Sequence, residues 1–564
     1  MADGIGNEKE LHEEEELENV FDMYENHESV KQIREHTNID CQFNFTDVSV
    51  VEVKVLLQDI DSSKASGYDN VPPKLVKVAA AELAQPISSL INRSISLSCF
   101  PHELKKSETS PLYKSLDNLN PQNYRPLSVL NCLSKIFERI YNNQMNVHFK
   151  DLLSSLLSAF RKRYGCHHVL TKLIEDSKLA LDDGKHVGLI LLDLSKAFDC
   201  LPHRLLLCKL KAYGFSYDAC KLIKSYLCHR LQRVKVASAR SQWTIMPKGV
   251  PQGSILGPLL FYIFIDDIFY ELQDVCSLHN YADDNTIRCC HSDMVSLKYH
   301  LEKSANLALK WFENNHMRAN PSKFQAIIFK RGNDNVVFDL NIGNEIIKPV
   351  SHVKLLGIVI DETLSFDKHV SNVCIKAARQ TSALRRIVRY VPIDSRINIY
   401  QAFIASNFSY CNIVWHFCSN RSTYKIEKVH KNALRVTLND YTSSYLDVLT
   451  KVKRPTLYVC RLKSIALETF KCVKGFNPEY MNSLFSLSNA PYETRGGRNL
   501  VQPKVTTTSY GLDSFIYQGS KIWNTIPQNV KDQTCLFKVK ELISKWQGPK
   551  CRCGFCIMCN MARI

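Results

Sequence analysis

Apolar residues recur along this chain at the spacing of amphipathic helices. The pattern begins at Val48. The stretch 74–100 is expected to carry on its apolar side Leu75, Val76, Leu83, Ile87, Leu90 and Ile91. Pro86 is expected to kink or divide that helix, because proline removes a backbone donor. Helical spacing is found over 74–100, after Pro126, over 204–232, after Ser254, and over 373–388, 397–404 and 424–438.

Short apolar runs predict strands between these helices. Residues 187–192 are apolar on both faces, which is typical of a buried strand, and they lead into Asp193. Polar residues around Tyr281 separate two strand-like stretches and so predict a hairpin. Further strands are expected at 326–330 and 355–360. This alternation of helices and strands predicts a mixed α/β core.

The charge of the chain is uneven. Lys and Arg total 72 against 56 Asp and Glu, which gives a formal net charge of +16. Residues 1–20 hold eight acids and one base, so the rest of the chain carries +23. A basic body favours a polyanionic partner, since each neutralised phosphate releases counterions. A solvated basic surface without such a partner is the alternative reading of charge alone.

Cysteine usage and hydropathy indicate an intracellular protein. The 21 cysteines are mostly scattered singly in apolar stretches, as small reduced core residues would be. The acidic N-terminus does not have the pattern of a signal peptide. The chain contains no run of about 18 uncharged apolar residues, the length that a membrane span requires.

Three carboxylates are the strongest candidates for chemistry. Asp193 ends the buried strand, and Asp283 and Asp284 lie at the predicted turn 90 residues later. Burying such groups together is costly unless cations neutralise them. Two Mg²⁺ ions about 3.5–4 Å apart suit carboxylate ligands and can clamp the oxygens of an in-line phosphoryl displacement. For Asp283 and Asp284 taken alone, a polar hairpin turn remains the alternative.

Six fragments then stand in the order found in one enzyme family. Tyr281-Ala282-Asp283-Asp284 resembles the Y-x-D-D box of reverse transcriptases. Residues 191–199 and 249–258 resemble the first palm motif and the PQGS motif of non-LTR retrotransposon enzymes. The remaining fragments are 123–128, which resembles N-Y-R-P-I-S, Asn320 with Lys323 from the next palm motif, and 355–358, which resembles the primer grip. The chain is therefore similar to jockey/LINE-like non-LTR reverse transcriptases over about residues 60–440.

This resemblance implies a right-hand polymerase fold with fingers, an α+β palm and a thumb, followed by a mainly helical C-terminal region. The expected domains are 1–45, an acidic disordered tail; 46–91, a helical extension; 92–362, fingers and palm; 363–450, thumb-like helices; 451–545, a C-terminal α/β or helical region; and 546–564, a Cys-rich tail.

The resemblance also implies roles for single residues around the metal site. Asp193, Asp283 and Asp284 would be catalytic ligands of two Mg²⁺ ions. Phe198 would exclude a ribose 2′-hydroxyl by steric clash, and Gln252 would lie over the nucleotide. Core packing and a simple loop turn are the alternatives for these two residues. Three cations would contact the triphosphate, although each could also be an ordinary surface base: Lys114, Arg125 and Lys323.

Contacts with template and primer are implied in the same way. Arg161 and Lys162 would follow the template backbone, and Tyr281, Leu356 and Gly357 would contact the primer. Arg163 stands where the family pattern usually has glycine, so the turn at this position is in question. The implied partners are an RNA template, a DNA primer or target DNA, and dNTPs. Residence in the nucleus and in a cytoplasmic ribonucleoprotein is expected.

The two ends carry separate expectations. Fewer than 100 residues precede the polymerase motifs, which leaves no room for the endonuclease that related proteins usually carry. The chain is accordingly expected to be a fragment or a truncated copy. Near the C-terminus four thiols could bind one Zn²⁺, with free thiols as the alternative: Cys551, Cys553, Cys556 and Cys559.

Three functional hypotheses follow. The first is RNA-directed DNA polymerase activity by two-metal nucleotidyl transfer. The second is a catalytically silent nucleic-acid-binding relic of a mobile element, which intact Asp193, Asp283 and Asp284 disfavour. The third is an RNA-dependent RNA polymerase, which Phe198 and the PQGS stretch disfavour.

Overall fold

A computed structural model describes residues 17–39, 41–114, 117–194, 197–330, 338–488 and 499–546. Its described helices are α1 (Glu28–His36), α2 (Val50–Gln58), α3 (Pro73–Val78), α4 (Ala80–Ser96), α5 (Cys132–His148), α6 (Cys166–Asp182), α7 (His203–Ala212), α8 (Tyr217–Leu227), α9 (Gly257–Ile265), α10 (Ile268–Leu272), α11 (Met294–Asn314), α12 (Asp367–Ile387), α13 (Ile393–Ile399), α14 (Ser406–Ser409), α15 (Asn420–Leu438), α16 (Tyr445–Lys451), α17 (Leu457–Val473), α18 (Glu479–Asn482), α19 (Phe515–Thr525), α20 (Gln528–Lys531) and α21 (Leu536–Lys545).

The strands form mixed α/β architecture with these helices. They are β1 (Lys106–Tyr113), β2 (Tyr124–Leu130), β3 (His186–Leu192), β4 (Leu231–Val236), β5 (Ala239–Arg240), β6 (Thr244–Ile245), β7 (Ser277–Tyr281), β8 (Asp284–His291), β9 (Gln325–Phe329), β10 (Leu340–Ile342), β11 (Glu345–Ile347), β12 (His352–Leu355) and β13 (Ile358–Asp361). Among the described helices, none has both the length and the apolar composition needed to cross a membrane.

The chain divides into two compact units, each built from several stretches of sequence. The first comprises the described residues of 1–160, 193–274 and 306–320. Its sheet has the order β2-β1-β4-β5, with β6 paired to β4. Strand β1 is antiparallel to β2 and parallel to β4. Buried Glu138 on α5 accepts hydrogen bonds from the backbone N–H groups of Ile255 (2.5 Å) and Leu256 (3.3 Å), which anchors the loop before α9.

The second unit comprises the described residues of 161–192, 275–305 and 321–564. Its main sheet is antiparallel throughout, in the order β7-β8-β3-β9. Strand β3 is buried over Val187–Ile190. Helix α6 packs against this strand, and Leu301 of α11 lies next to Gly188. One continuous apolar core runs from α6 and the sheet into helices α12, α15 and α16. Helices α12, α15 and α16 therefore share one core with the sheet.

Several predicted elements are confirmed. The buried strand, the hairpin around Tyr281 and the helix after Ser254 are present as β3, β7–β8 and α9. The helices predicted over 373–388 and 424–438 correspond to α12 and α15. Every described cysteine is a free thiol, and most are buried or half-buried, as expected for core residues.

Other element predictions were wrong in detail. The helix expected over 74–100 divides at Ala79, and Pro86 lies inside α4. Leu75 and Leu90 are exposed because α3 and α4 are separate helices, each with its own buried face. The turn at 213–216 separates α7 from α8, so 204–232 is not one helix.

Two strand assignments also differ from the prediction. Residues 355–360 are not one strand, because the chain reverses at Leu356 and Gly357 between β12 and β13. The helix after Pro126 begins only at Cys132, since Tyr124–Leu130 pairs with β1 as a strand.

Candidate active site

The hairpin β7–β8 carries the first two candidate metal ligands. Tyr281 pairs with Asp284, so Ala282 and Asp283 form a two-residue turn. Ala282 takes a left-handed backbone with φ of 57°. The buried Asn280 side chain donates to the Ala282 carbonyl at 2.8 Å and to Asn285 Oδ1 at 2.9 Å. These two hydrogen bonds link both strands of the hairpin to its turn. The turn therefore presents two carboxylates from a rigid base.

Strand β3 ends beside the same hairpin. Leu192, its last residue, pairs with Asn285 of β8. Asp193 follows Leu192 directly, and consecutive Cα atoms are about 3.8 Å apart across a trans peptide. Within the first unit, the Asp193 carbonyl accepts a hydrogen bond from the Asn320 N–H at 3.2 Å. Asp193 therefore comes directly after the last residue of β3 that pairs with the β7–β8 hairpin.

Phe198 lies in a short 3-10 turn, Ala197–Asp199, where it packs as an aromatic platform. Its ring stacks on Phe261 of α9 at a centroid distance of 4.5 Å, and Phe160 meets it edge-on at 6.2 Å. Both contacts fix the rotamer of Phe198, and the half-buried ring keeps one part of its surface open.

The loop that carries Gln252 is fastened to this turn. Its side-chain amide donates to Asp199 Oδ1 at 2.8 Å. Gly249 has φ of 79°, and a Cβ there would lie 2.5 Å from the Asp199 carbonyl oxygen. Gly253 has φ of 126°, and a Cβ there would lie 2.4 Å from the Ser128 carbonyl oxygen. Only glycine permits both close approaches, so the PQGS stretch holds Gln252 next to the Phe198 turn.

Lys114 and Arg125 lie at one end of the β1–β2 hairpin. Leu112 pairs with Arg125, and the Lys114 N–H donates to the Asn123 carbonyl at 2.9 Å. Since residues two apart in a strand share a face, this register places Lys114 and Arg125 on the same face, where both are exposed. Strand β2 also contacts the Gln252 loop, because the Ser128 N–H donates to the Gln252 carbonyl at 2.7 Å.

Lys323 lies in the 3-10 turn Pro321–Lys323 that leads into β9. Its side chain is exposed, and β9 is the direct neighbour of β3 in the second-unit sheet. Lys323 therefore lies two residues before β9, the strand that pairs with β3.

The basic segment 161–163 before α6 contains one residue with a left-handed backbone. Arg163 has φ of 73°, so an arginine occupies the left-handed backbone that the family's glycine would provide. The Arg161 guanidinium lies over the Tyr164 ring at 5.0 Å. Lys162 is exposed between them. The positive φ of Arg163 is strained for a residue with a Cβ.

The turn between β12 and β13 is made by Leu356 and Gly357, which both have positive φ, 46° and 84°. Positive φ at both central positions is the type I′ geometry that suits a tight hairpin. The Tyr410 hydroxyl donates to the Leu356 carbonyl at 2.7 Å, and the Trp415 indole N–H donates to the Tyr410 carbonyl at 3.0 Å. Sequence reasoning missed Tyr410, because no local pattern ties it to a turn 54 residues earlier.

Tyr281 faces a cavity of about 520 Å³ in the second unit. Burial raises the pKa of its phenol to about 12, and the neighbouring Cys166 thiol acts in the same direction. Tyr281 therefore stays protonated at neutral pH and can donate a hydrogen bond.

A second Asp-Asp pair shows what a structural pair looks like. Asp266 and Asp267 are fully buried. Asp267 accepts from the Lys209 ammonium at 2.5 Å and from the Trp311 indole at 2.7 Å, and Asp266 accepts from the Tyr213 hydroxyl at 2.8 Å. Protein donors already occupy these carboxylate oxygens. The pair at Asp283 and Asp284 differs, because it sits half-exposed to exposed on a turn.

The comparisons with known proteins point to one family. Residues 105–360 match the family described as Reverse transcriptase (RNA-dependent DNA polymerase). The "Probable RNA-directed DNA polymerase from transposon BS" of Drosophila melanogaster is 25% identical over 405 residues, covering 69% of this chain and 44% of that protein. The "RNA-directed DNA polymerase from mobile element jockey" of the same organism is 25% identical over 423 residues, covering 72% and 46%. The chain thus spans less than half the length of these curated relatives. The candidate zinc ligands Cys551, Cys553, Cys556 and Cys559 lie outside the described residues.

Proposed function

We propose that this chain is an RNA-directed DNA polymerase, because residues 105–360 match the reverse transcriptase family and the chain is similar to the polymerase of the mobile element jockey. It would copy retrotransposon RNA into DNA by two-metal nucleotidyl transfer. The observation that carries the proposal is the register of β3 against β8, which ends at the Leu192–Asn285 pair. Asp193 directly follows Leu192 in the chain, and Asp284 directly precedes Asn285, so these two aspartates flank the last pair of this register.

The three carboxylates suit divalent cations. Asp283 and Asp284 project from a hairpin fixed by buried Asn280, and Asp193 begins where β3 leaves the sheet. Their oxygen atoms are the ligand type that Mg²⁺ prefers. Two bound Mg²⁺ ions would supply the charge that activates a primer 3′-hydroxyl and neutralises the triphosphate. The carboxylates would hold these ions in place while the 3′-oxygen displaces pyrophosphate from the α-phosphorus.

Phe198 and Gln252 would select the nucleotide. The Phe198 ring is fixed by Phe261 and Phe160, so it cannot easily move away from a ribose 2′-hydroxyl. A rigid aromatic wall excludes one extra oxygen by overlap, which is discrimination by clash. Gln252, held by Asp199, would pack on the base or sugar of the incoming nucleotide. These two residues make dNTPs the proposed substrates.

Three cations would bind the triphosphate. Lys114 and Arg125 share the exposed face of the β1–β2 hairpin, which we assign to the fingers. A flat guanidinium and an ammonium on one face can contact several phosphate oxygens at once. Lys323, at the start of β9, would stabilise or protonate the leaving pyrophosphate. The exposure of all three leaves them accessible to a charged ligand.

The nucleic acid would bind along the second unit. Arg161 and Lys162 would contact the template backbone, and the turn at Leu356 and Gly357 would contact the primer, with Tyr281 as a donor. We assign the sheet β7-β8-β3-β9 to the palm, and the helices from α12 onward to a thumb. Basic residues of α12 would contact duplex phosphates without reading sequence, namely Lys376, Arg379, Arg385 and Arg386. The proposed partners are an RNA template and a DNA primer or target DNA, in the nucleus and in a cytoplasmic ribonucleoprotein. A Zn²⁺ ion on the four thiols of 551–559 stays part of this proposal.

Primer extension tests this proposal. Purified full-length chain is incubated with poly(rA)/oligo(dT), dTTP and Mg²⁺, and product length is compared with the same reaction in excess EDTA. We expect extension that needs Mg²⁺ and that uses dTTP in preference to UTP. No extension by folded protein would support the silent nucleic-acid-binding relic instead, and preferential use of UTP would support an RNA polymerase.

A further inference from the structure

A cluster of metal-ligating side chains lies in the second unit, apart from the three aspartates. His167 and His168 open helix α6, and Glu468 lies on α17. One ligand atom from each lies within 4.8 Å of the other two. His168 Nε2 is 2.9 Å and His167 Nε2 is 3.5 Å from Glu468 Oε1. Residues 300 positions apart in sequence thus converge on one point.

The burial of this cluster and the cavity beside it favour a bound metal ion. His168 and Glu468 are buried, whereas His167 is half-exposed on the wall of the cavity of about 520 Å³. Three ligands with one open side match a zinc site of two histidines and one glutamate. His168 Nε2 and His167 Nε2 both lie close to Glu468 Oε1, so these two ring nitrogens and the Glu468 carboxylate are the atoms that would coordinate an ion.

One neighbour competes with a cation. Lys471 donates to Glu468 Oε2 at 2.8 Å, and Asn477 donates to Oε1 at 2.8 Å. These contacts alone could make the cluster an ordinary buried ion-pair network. Lys471 allows a metal site to be distinguished from an ion-pair network. If a cation binds at Glu468, removal of the Lys471 charge must strengthen that binding; if the cluster is only an ion-pair network, there is no cation binding to strengthen.

We propose that His167, His168 and Glu468 bind one Zn²⁺ ion, with a fourth coordination position open to the cavity. Two imidazoles and one carboxylate select Zn²⁺ over Mg²⁺, which prefers oxygen ligands alone. The ion joins the start of α6 to α17 and so ties the C-terminal helices to the sheet. This site is independent of the polymerase proposal.

Zinc stoichiometry measures the site directly. The full chain is used with Cys551, Cys553, Cys556 and Cys559 replaced by serine, so that the C-terminal thiols add no zinc. After metal removal, Zn²⁺ is titrated by calorimetry in excess Mg²⁺, which competes with Zn²⁺ for sites made of carboxylate oxygens alone. We expect one equivalent. His167→Ala, at a half-exposed position, and Glu468→Gln should each lose it while circular dichroism shows folded protein.

Lys471→Met is the matched variant. We expect its Zn²⁺ affinity to rise at least about threefold, because a positive charge next to the ligand carboxylate is removed. Zero equivalents in the thiol-free chain would overturn the proposal. One equivalent that His167→Ala leaves intact, or an affinity that Lys471→Met leaves unchanged or lowers, would also overturn it.

Discussion

At the scale of single residues, Phe198 is defined by what holds it. Its ring stacks on Phe261 and meets Phe160 edge-on, and both contacts hold it in place. Phe198→Val removes the ring and opens space for a 2′-hydroxyl. We expect the ratio of kcat/KM for dTTP over UTP to fall by about 10–100-fold, the range for one steric element in a pocket. Steady-state primer extension gives this ratio. An unchanged ratio would contradict the proposal that Phe198 excludes the ribose 2′-hydroxyl.

Replacing Arg163 is expected to change two properties in opposite directions. Relief of its backbone strain should raise stability, and loss of its charge should weaken RNA binding. Its φ of 73° is strained for any residue with a Cβ. Arg163→Gly should raise the free energy of unfolding by about 0.5–1 kcal/mol. If the segment contacts the template, the same change should weaken RNA binding. The slope of log K for RNA binding against log salt concentration should become less steep by about one. Urea unfolding and binding titrations at several salt concentrations separate the two effects. Lower stability in the glycine variant would contradict the strain argument.

At the scale of elements, a distant tyrosine completes the β12–β13 hairpin. The Tyr410 hydroxyl bonds the Leu356 carbonyl at 2.7 Å, in the turn assigned to the primer. Tyr410→Phe removes this one bond and should cost about 0.5–1 kcal/mol. We expect the KM for primer–template to rise about two- to fivefold with kcat little changed. Tyr390→Phe is the control, since Tyr390 is 85% exposed. Equal effects of the two substitutions would mean that the Tyr410 bond does not position the turn.

The sequence predicted elements where one local rule dominates. The run 187–192 had to be buried on both faces, and the polar turn at Asp283 had to join two strands, so β3 and β7–β8 were correctly expected. The reversal at Leu356 was missed, because leucine in a left-handed backbone is stabilised by Tyr410 and not by its own preference. The Asp266-Asp267 pair illustrates the same limit. Its burial depends on Lys209 and Trp311, which no sequence spacing brings together.

At the scale of the whole molecule, segments far apart in sequence hold the second unit together. Asp182, at the end of α6, accepts hydrogen bonds from the Thr506 N–H (3.0 Å), the Thr507 N–H (2.7 Å) and the Thr507 hydroxyl (2.6 Å). Buried Glu175 accepts from the Phe515 N–H at 2.8 Å. The segment from Thr506 to Phe515 is therefore bound to α6, the helix that packs against the sheet.

Asp182→Ala should unfold this connection. It leaves two backbone N–H groups without an acceptor, and we expect a loss of about 2–4 kcal/mol in the free energy of unfolding. Burial raises the pKa of Asp182, but the bonds from Thr507 and Thr506 outweigh it and leave the pKa below its usual value. The difference from wild type should therefore be full at neutral pH and shrink as the pH falls through the folded-state pKa. Urea unfolding measures it, with exposed Asp183→Ala as the neighbouring control. Equal stability of the two variants would contradict the account.

The central claim is that Asp193, Asp283 and Asp284 act as one metal site, although they come from separate parts of the chain. Mg²⁺-dependent extension of oligo(dT) on poly(rA) by Asp193→Asn, Asp283→Asn and Asp284→Asn tests it most directly. Asp274→Asn serves as a control at an exposed aspartate. We predict losses of at least about 10²–10³-fold for each of the three, with the control at wild-type rate. Near-normal extension by any one of the three folded variants would contradict the claim.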